Sequence, residues 1–213
     1  MIEIKHRKTG EVLLKVESDS MEGGHYRGAR LEGADLSSMN LSNIDLSNAN
    51  LKDADLTGSL MEGGNFHSAC LNGADLTGAD LTGSDFTDAF LQKCTLKDVR
   101  APKAVFRYAK VSESDFSGAD FNNADLSLAD LRGNLNEANF AKADLRGTDF
   151  RGANLTGANL TGANLTNAKM GDANLTRTKM EGAIGTHGQK LTGGTAGGGF
   201  KKKSKKPWWQ IWD

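Results

Sequence analysis

The residue types that most often carry catalysis or bind metal ions are few and widely separated in this chain of 213 residues. Its four histidines show no spacing typical of a zinc site, and only one cysteine, Cys70, lies near a histidine, His67. The other, Cys94, is expected in the core. Serine, threonine and aspartate are so abundant that chance combinations of them indicate no triad. The sequence predicts a protein that is not an enzyme and has no catalytic residue, metal site or cofactor.

Residues 200–213, which we call the tail, combine positive charge with aromatic surface. All three tryptophans of the chain lie here, next to five lysines. A lysine near an anionic membrane contributes about 1 kcal/mol, and tryptophan favours the membrane interface. The same side chains could fill a groove on a protein partner, and nucleic acid is the third candidate. A disordered tail that only keeps the protein in solution is the remaining alternative. The predicted partner-binding residues of the tail are Phe200, Lys201, Lys202, Lys203, Lys205, Lys206, Trp208, Trp209, Ile211 and Trp212.

A second candidate surface lies within residues 90–110. Basic residues dominate this stretch, where Asp98 is the single acid, and three of its apolar or aromatic residues are expected to be exposed beside them. Exposed apolar groups beside charge are typical of binding surfaces, whereas a charge cluster alone is typical of a solvated face, and the sequence leaves both readings open. We call this set the basic girdle: Phe90, Lys93, Lys97, Arg100, Lys103, Val105, Arg107, Tyr108 and Lys110.

These residues are positioned by a repeat unit that is five residues long. An apolar residue recurs every fifth position from Met21 to Leu131, and after a skip of one residue the pattern continues from Leu135 to Met180. On a helix, which turns about 100° per residue, residues spaced five apart would not lie on one face. On a flat strand, successive residues of this series would alternate between the two faces. The chain must therefore bend once per unit, with the central residue and the alanine two before it inward, and the Asp or Asn between them outward.

The number of repeat units in one coil, and therefore the number of its sides, follows from the aromatic residues. Phe66, Phe86 and Phe106 occupy the central position of every fourth unit, as rings stacked on one side of a four-sided coil would. The units then form roughly eight coils about 4.8 Å apart, with leucine, phenylalanine and alanine filling the interior. Residues 1–17 alternate apolar and polar around a Thr-Gly turn, which predicts a β-hairpin that caps the first coil.

The repeat units strongly resemble the pentapeptide repeat family. Residues 153–162, Ala-Asn-Leu-Thr-Gly-Ala-Asn-Leu-Thr-Gly, follow its consensus without a gap. The resemblance implies an all-β fold, a right-handed quadrilateral parallel β-helix. It implies no single function, although some members bind DNA topoisomerases as DNA mimics. The expected domains are a hairpin cap, the solenoid, a Gly-rich linker and a flexible basic, Trp-rich tail, at 1–17, 18–183, 184–199 and 200–213.

Charge is distributed unevenly along the chain. Residues 21–183 carry 16 basic and 22 acidic side chains, a net charge of -6, while residues 184–213 carry a net charge of +5.

Two cysteines and the absence of long apolar runs predict a cytoplasmic protein without disulfides or membrane spans. We expect a non-enzymatic scaffold whose tail docks to a protein partner, a larger assembly or an anionic membrane, and a homodimer could form through the coil around Leu175 and Met180.

The alternative is a topoisomerase-interacting DNA mimic. It depends on a ladder of aspartates at outward positions, which we call the Asp ladder: Asp75, Asp80, Asp85, Asp115, Asp120, Asp125 and Asp130. The modest net charge, the basic girdle and the replacement of aspartate by asparagine after Leu135 weigh against this alternative. The expected role therefore remains that of a scaffold.

Overall fold

The first element is an antiparallel hairpin, in a computed structural model that describes residues 1–192. Strand β1 spans Ile2–Lys5 and strand β2 spans Val12–Val16, with Ile2 opposite Val16. Ile4 and Val16 are buried against the solenoid. The backbone N–H of Asp35 donates to the carbonyl of Lys5 at 2.8 Å, so the hairpin pairs with the first coil. The predicted N-terminal hairpin cap is confirmed.

Parallel bridges between residues four units apart run along the rest of the described chain, from His25 to Ile184. Leu31 donates its N–H to the carbonyl of Asn50 at 2.7 Å, and Asn50 donates to the carbonyl of Ala29 at 2.9 Å. The same pair of bonds recurs from coil to coil. Four units therefore complete one coil, and the fold is the right-handed quadrilateral parallel β-helix that the resemblance implied.

A tight turn bends the chain at each corner. In the first coil the N–H of Ala34 donates to the carbonyl of Leu31 at 3.0 Å, and Gly33 between them has φ +67°. This arrangement is typical of a type II turn, whose third residue has a left-handed backbone and favours glycine or asparagine. The turn explains the glycine that ends each consensus unit.

The interior is filled by side chains from all four sides. The central residues and the alanines two before them are buried along almost the whole rod. The rings of Phe66, Phe86 and Phe106 stack with centroids 4.8 and 4.7 Å apart and interplanar angles of 6° and 11°. Cys94 occupies an alanine position and is 2% exposed. The predicted Phe stack is confirmed. We number the sides by the central residues of one coil: Phe86 on side 1, Leu91 on side 2, Leu96 on side 3 and Ala101 on side 4.

The skipped residue is accommodated at Gly133. Asp115 bridges to Asn134, one position short of the usual spacing, and Asn134 bridges to Asn154 with that spacing restored. A Cβ atom on Gly133 would lie 2.4 Å from the carbonyl oxygen of Ser114 in the coil before. The short unit therefore fits because two backbones touch there with no side chain between them, and the ladder of bridges continues unbroken.

The far end of the rod is partly covered. Ile184 forms an antiparallel bridge with Lys190, and the N–H of Leu191 donates to the carbonyl of Ala183 at 2.7 Å. Residues 184–191, the first part of the predicted linker, thus fold back onto the last coil. No helix within residues 1–192 is long and apolar enough to cross a membrane. The tail lies outside the described residues.

Candidate functional site

The basic girdle runs once around the rod. Side 1 carries Val105 and Arg107, the corner between sides 1 and 2 carries Tyr108, and side 2 carries Phe90 and Lys110, which bridge each other on neighbouring coils. The other four face further sides and corners: Lys93, Lys97, Arg100 and Lys103. A flat partner reaches two adjacent sides at most. The structure therefore brings five of the nine residues to one region and separates the rest from it.

Most of the girdle's positive charge is paired. Four basic side chains form ion pairs with carboxylates on neighbouring coils, at 2.5 to 3.9 Å: Arg107 with Asp125, Arg100 with Asp80, Lys97 with Asp115 and Lys93 with Glu113. Within residues 1–192, Lys103 and Lys110 form no ion pair. Counting charges along the sequence missed these pairs because each acid lies about one full coil away from its cation in the chain. The girdle is thus less basic than its sequence predicts.

Carboxylates of the Asp ladder form hydrogen bonds within their own chain. Asp80 accepts hydrogen bonds from the backbone N–H and the hydroxyl of Thr82, and Asp115 and Asp125 accept the same pair from a serine two residues on. In the second half of the rod arginines cover the carboxylates, as Arg146 covers Asp144: the arginine side chain is 58% exposed and the aspartate 29%. The outermost charge at these positions is therefore positive.

Burial and hydrogen bonds shift the pKa values of several of these groups. Hydrogen bonds from Arg151 hold the pKa of Asp149 below its usual range against the opposing effect of burial. At Asp125 burial raises the pKa, but hydrogen bonds from Ser127 and Arg107 together outweigh it and the net shift is downward. Both carboxyls are therefore ionised at neutral pH. Burial raises the pKa of the Cys94 thiol to about 12, so this cysteine is not a nucleophile.

Metal-binding and catalytic arrangements were not expected from the sequence. His67 and Cys70 are half-buried on side 1 and side 2 of the same coil. In the part of the chain that the structure describes, no three His, Cys, Asp or Glu side chains are placed to hold a metal ion.

One surface feature was not found from the sequence: a shallow groove of about 470 Å³ along the corner between sides 1 and 2. We call it the corner groove. Its apolar part is formed by Tyr108 and Leu128, which are 48% and 51% exposed. A sequence signal did exist, because both occupy the turn position where the repeat usually has Gly, Asn or Asp. The lining residues are Arg107, Tyr108, Ser127, Leu128, Arg146, Gly147 and Asn167.

The comparison with protein-family models agrees with this architecture. The family model of pentapeptide repeats, in eight copies, matches residues 27–63, 65–98, 103–133, 134–172 and 144–182. Comparison with curated protein sequences gives no significant match.

Solved structures of similar proteins cover most of the chain. HetL, a pentapeptide repeat protein involved in heterocyst differentiation regulation from the cyanobacterium Nostoc sp. strain PCC 7120, is 26% identical; the match covers 82% of this chain and 93% of that one, with a TM-score of 0.35. A trypsin-treated form of QnrB1, a plasmid-mediated fluoroquinolone resistance protein, is 21% identical over 78% of this chain and 88% of that one, with a TM-score of 0.45. With the family model matching most of its length, the chain belongs to the pentapeptide repeat family.

Proposed function

We propose that the chain is a non-enzymatic scaffold that recognises partners through the outer surface of its rod. The packed interior directs all recognition to outward side chains, which recur at about 4.8 Å from coil to coil on a rigid backbone. The observation that carries the proposal is the grouping of exposed apolar side chains, Phe90, Tyr108 and Leu128, beside cations on neighbouring coils of sides 1 and 2. Apolar surface next to charge is what binding surfaces use.

The tail is proposed to attach this rod to a larger structure. Its support is the composition: five lysines and three tryptophans within residues 200–213. Lysines are attracted to anionic lipid, and tryptophans enter the interfacial zone. The same tryptophans suit a groove on a protein partner or assembly. We propose a cytoplasmic protein, peripheral to a membrane or to an assembly, in which the rod and the tail act as separate binding elements.

Co-sedimentation with liposomes decides between the two kinds of attachment. The full chain is expected to bind vesicles of phosphatidylserine and phosphatidylcholine at low salt, and to bind less at physiological salt, because lysine–headgroup attraction is screened. Replacing Trp208, Trp209 and Trp212 by serine in the full chain is expected to reduce the bound fraction at least fivefold. Pure phosphatidylcholine vesicles are the control. Binding that persists in the serine variant, or no binding at either salt, would end the membrane proposal and direct the search to a protein groove.

A homodimer through the C-terminal coil is part of the proposal. Within residues 1–192, the backbone N–H groups of Met170, Leu175 and Met180 have no hydrogen-bond acceptor, so three sides of the last coil present an unpaired edge. Unpaired edges of this kind favour pairing with another chain. A second copy of the last coil would supply that partner.

DNA mimicry stays a prediction, and the geometry gives it less support than the sequence did. A mimic must present free negative charge at close spacing, since duplex DNA carries about one charge per 1.7 Å. Here the carboxylates of Asp80, Asp115 and Asp125 each face a basic side chain as well as a hydroxyl. A DNA supercoiling assay with the purified chain is the test of this alternative.

A further inference from the structure

The corner groove contains two residues whose types are unusual at the turn position of this repeat. Along this corner the turn residues of successive coils have φ from 56° to 67°: Asn48, Ser68, Asp88, Tyr108, Leu128, Gly147 and Asn167. Glycine adopts this backbone freely and asparagine or aspartate at small cost. Elsewhere in the rod long polar side chains also occupy the turn position, as at Lys93, Glu113 and Arg177, and they are exposed to solvent. Among the described residues with this backbone, Tyr108 and Leu128, with φ 60° and 61°, are the two that carry a large apolar or aromatic side chain. An apolar side chain that is half exposed at a turn contributes little to folding, and its presence there points to function.

The groove is shaped by what lies next to Leu128. On the following coil the corner residue is Gly147, and a Cβ atom there would lie 2.7 Å from Cδ2 of Leu128. The glycine therefore lets the leucine side chain lie across the corner. Tyr108 occupies the same corner one coil earlier and lines the same groove. Together they form an apolar floor that extends over about two coils, or roughly 10 Å along the rod.

Two arginines form the rim of this floor. Arg107 donates from Nη2 to Asp125 at 2.5 Å, and Arg146 donates from Nε and Nη2 to Asp144 at 2.6 to 2.9 Å. Each arginine side chain is at least 50% exposed, while the side chains of Asp125 and Asp144 are 22% and 29% exposed. Because a guanidinium has five N–H donors, each arginine retains donors for a ligand. The surface that a ligand meets is thus apolar in the middle and positive at its edges.

We propose that the corner groove binds an extended acidic–apolar peptide segment of a partner protein. Apolar side chains of the peptide cover Tyr108 and Leu128, and aspartate or glutamate carboxylates on either side accept hydrogen bonds from Arg107 and Arg146. Arginine suits carboxylates because its parallel N–H groups match their two oxygens. This inference rests on the proposed scaffold function and deepens it, since it names the surface and the chemistry of the partner segment.

The test is a selection of random twelve-residue peptides, displayed on phage, against the immobilised full chain. Selected peptides are expected to combine Asp or Glu with aromatic or aliphatic residues, and to bind in the micromolar range by fluorescence anisotropy. Leu128→Asn is expected to weaken peptide binding at least tenfold. Arg146→Gln is expected to weaken it about fivefold, and the affinity of this variant should depend less on salt than that of the unchanged chain. The matched control is Leu60→Asn, because Leu60 is 50% exposed but lies on side 4; it should change the affinity less than twofold.

Folding does not confound this comparison. Asparagine already occupies the same corner at Asn48 and Asn167 with the same backbone, so the thermal midpoint of the Leu128→Asn variant should equal or exceed that of the unchanged chain. Selection of basic peptides, failure to select any peptide, or binding insensitive to both Leu128→Asn and Arg146→Gln would overturn the groove proposal. Peptides that bind elsewhere on the rod would leave the scaffold function standing while removing the groove from it.

Discussion

Phe86→Ala is expected to lower the free energy of unfolding by about 3–5 kcal/mol, the usual cost of truncating a buried phenylalanine. Phe86 is 0% exposed, and its ring stacks between those of Phe66 and Phe106. The substitution leaves a cavity with aromatic walls on both sides, and a solenoid coil transmits the loss to its neighbours. Urea unfolding followed by far-UV circular dichroism measures the effect, because residues 1–192 contain no tryptophan whose fluorescence could be followed.

The matched control is Phe90→Ala. Phe90 lies on the next side of the same coil but is 42% exposed at an outward position. Its truncation should change stability by less than about 1 kcal/mol, as is usual for surface residues. Equal losses for the two variants would contradict the inward–outward alternation on which the four-sided coil depends.

Gly133→Ala is expected to destabilise the rod by about 3 kcal/mol, at the upper end of the cost of overpacking. The new Cβ would lie 2.4 Å from the carbonyl oxygen of Ser114. That oxygen belongs to the backbone and also accepts the N–H of Asn134 at 3.1 Å, so it cannot move aside without breaking the bridge at the skipped residue. The change should appear as a lower thermal midpoint and a lower urea midpoint.

Gly171→Ala provides the comparison for this change. Gly171 also lies outside the left-handed backbone region, and the nearest atom to an added Cβ is Cγ of Arg151 at 3.8 Å, an ordinary contact. Its substitution should leave stability unchanged or raise it by about 0.4–1 kcal/mol, because alanine restricts the unfolded chain. If Gly133→Ala behaved like Gly171→Ala, the backbone contact could not be what accommodates the skip.

The architecture could be predicted from the sequence because it depends on local spacing. A period of five permits neither a helix nor a flat strand, and the recurrence of phenylalanine at every fourth unit, from Phe66 to Phe106, fixes the length of one coil. The alternation within residues 1–17 likewise determines the hairpin. Each of these signals comes from residues whose burial is set by the repeat itself, so knowledge of the neighbouring coil was not needed.

The surface could not be predicted in the same way, because its contacts join different coils. Arg107 pairs with Asp125 on the next coil, which changes the charge of the girdle as a partner would meet it. The floor of the corner groove likewise depends on Gly147 lying beside Leu128 on the following coil, where the skipped residue shortens the usual spacing by one position. The sequence shows that leucine is unusual at this turn position, but it does not show which residue of the next coil lies beside Leu128.

Site-specific photocrosslinking tests most directly whether this chain acts by recognising partners through its outer surface. Three variants of the full chain carry benzoylphenylalanine at position 128, at position 209 in the tail, or at position 60. Each variant is irradiated in an extract of the cells that naturally contain the protein. Discrete adducts are expected at positions 128 and 209 and none at position 60, although Leu60 and Leu128 are equally exposed. The yield of the adduct at 128 should fall several-fold when Arg146→Gln is added. Adducts of equal yield at 60 and 128, or none at 128 and 209, would contradict the proposed function.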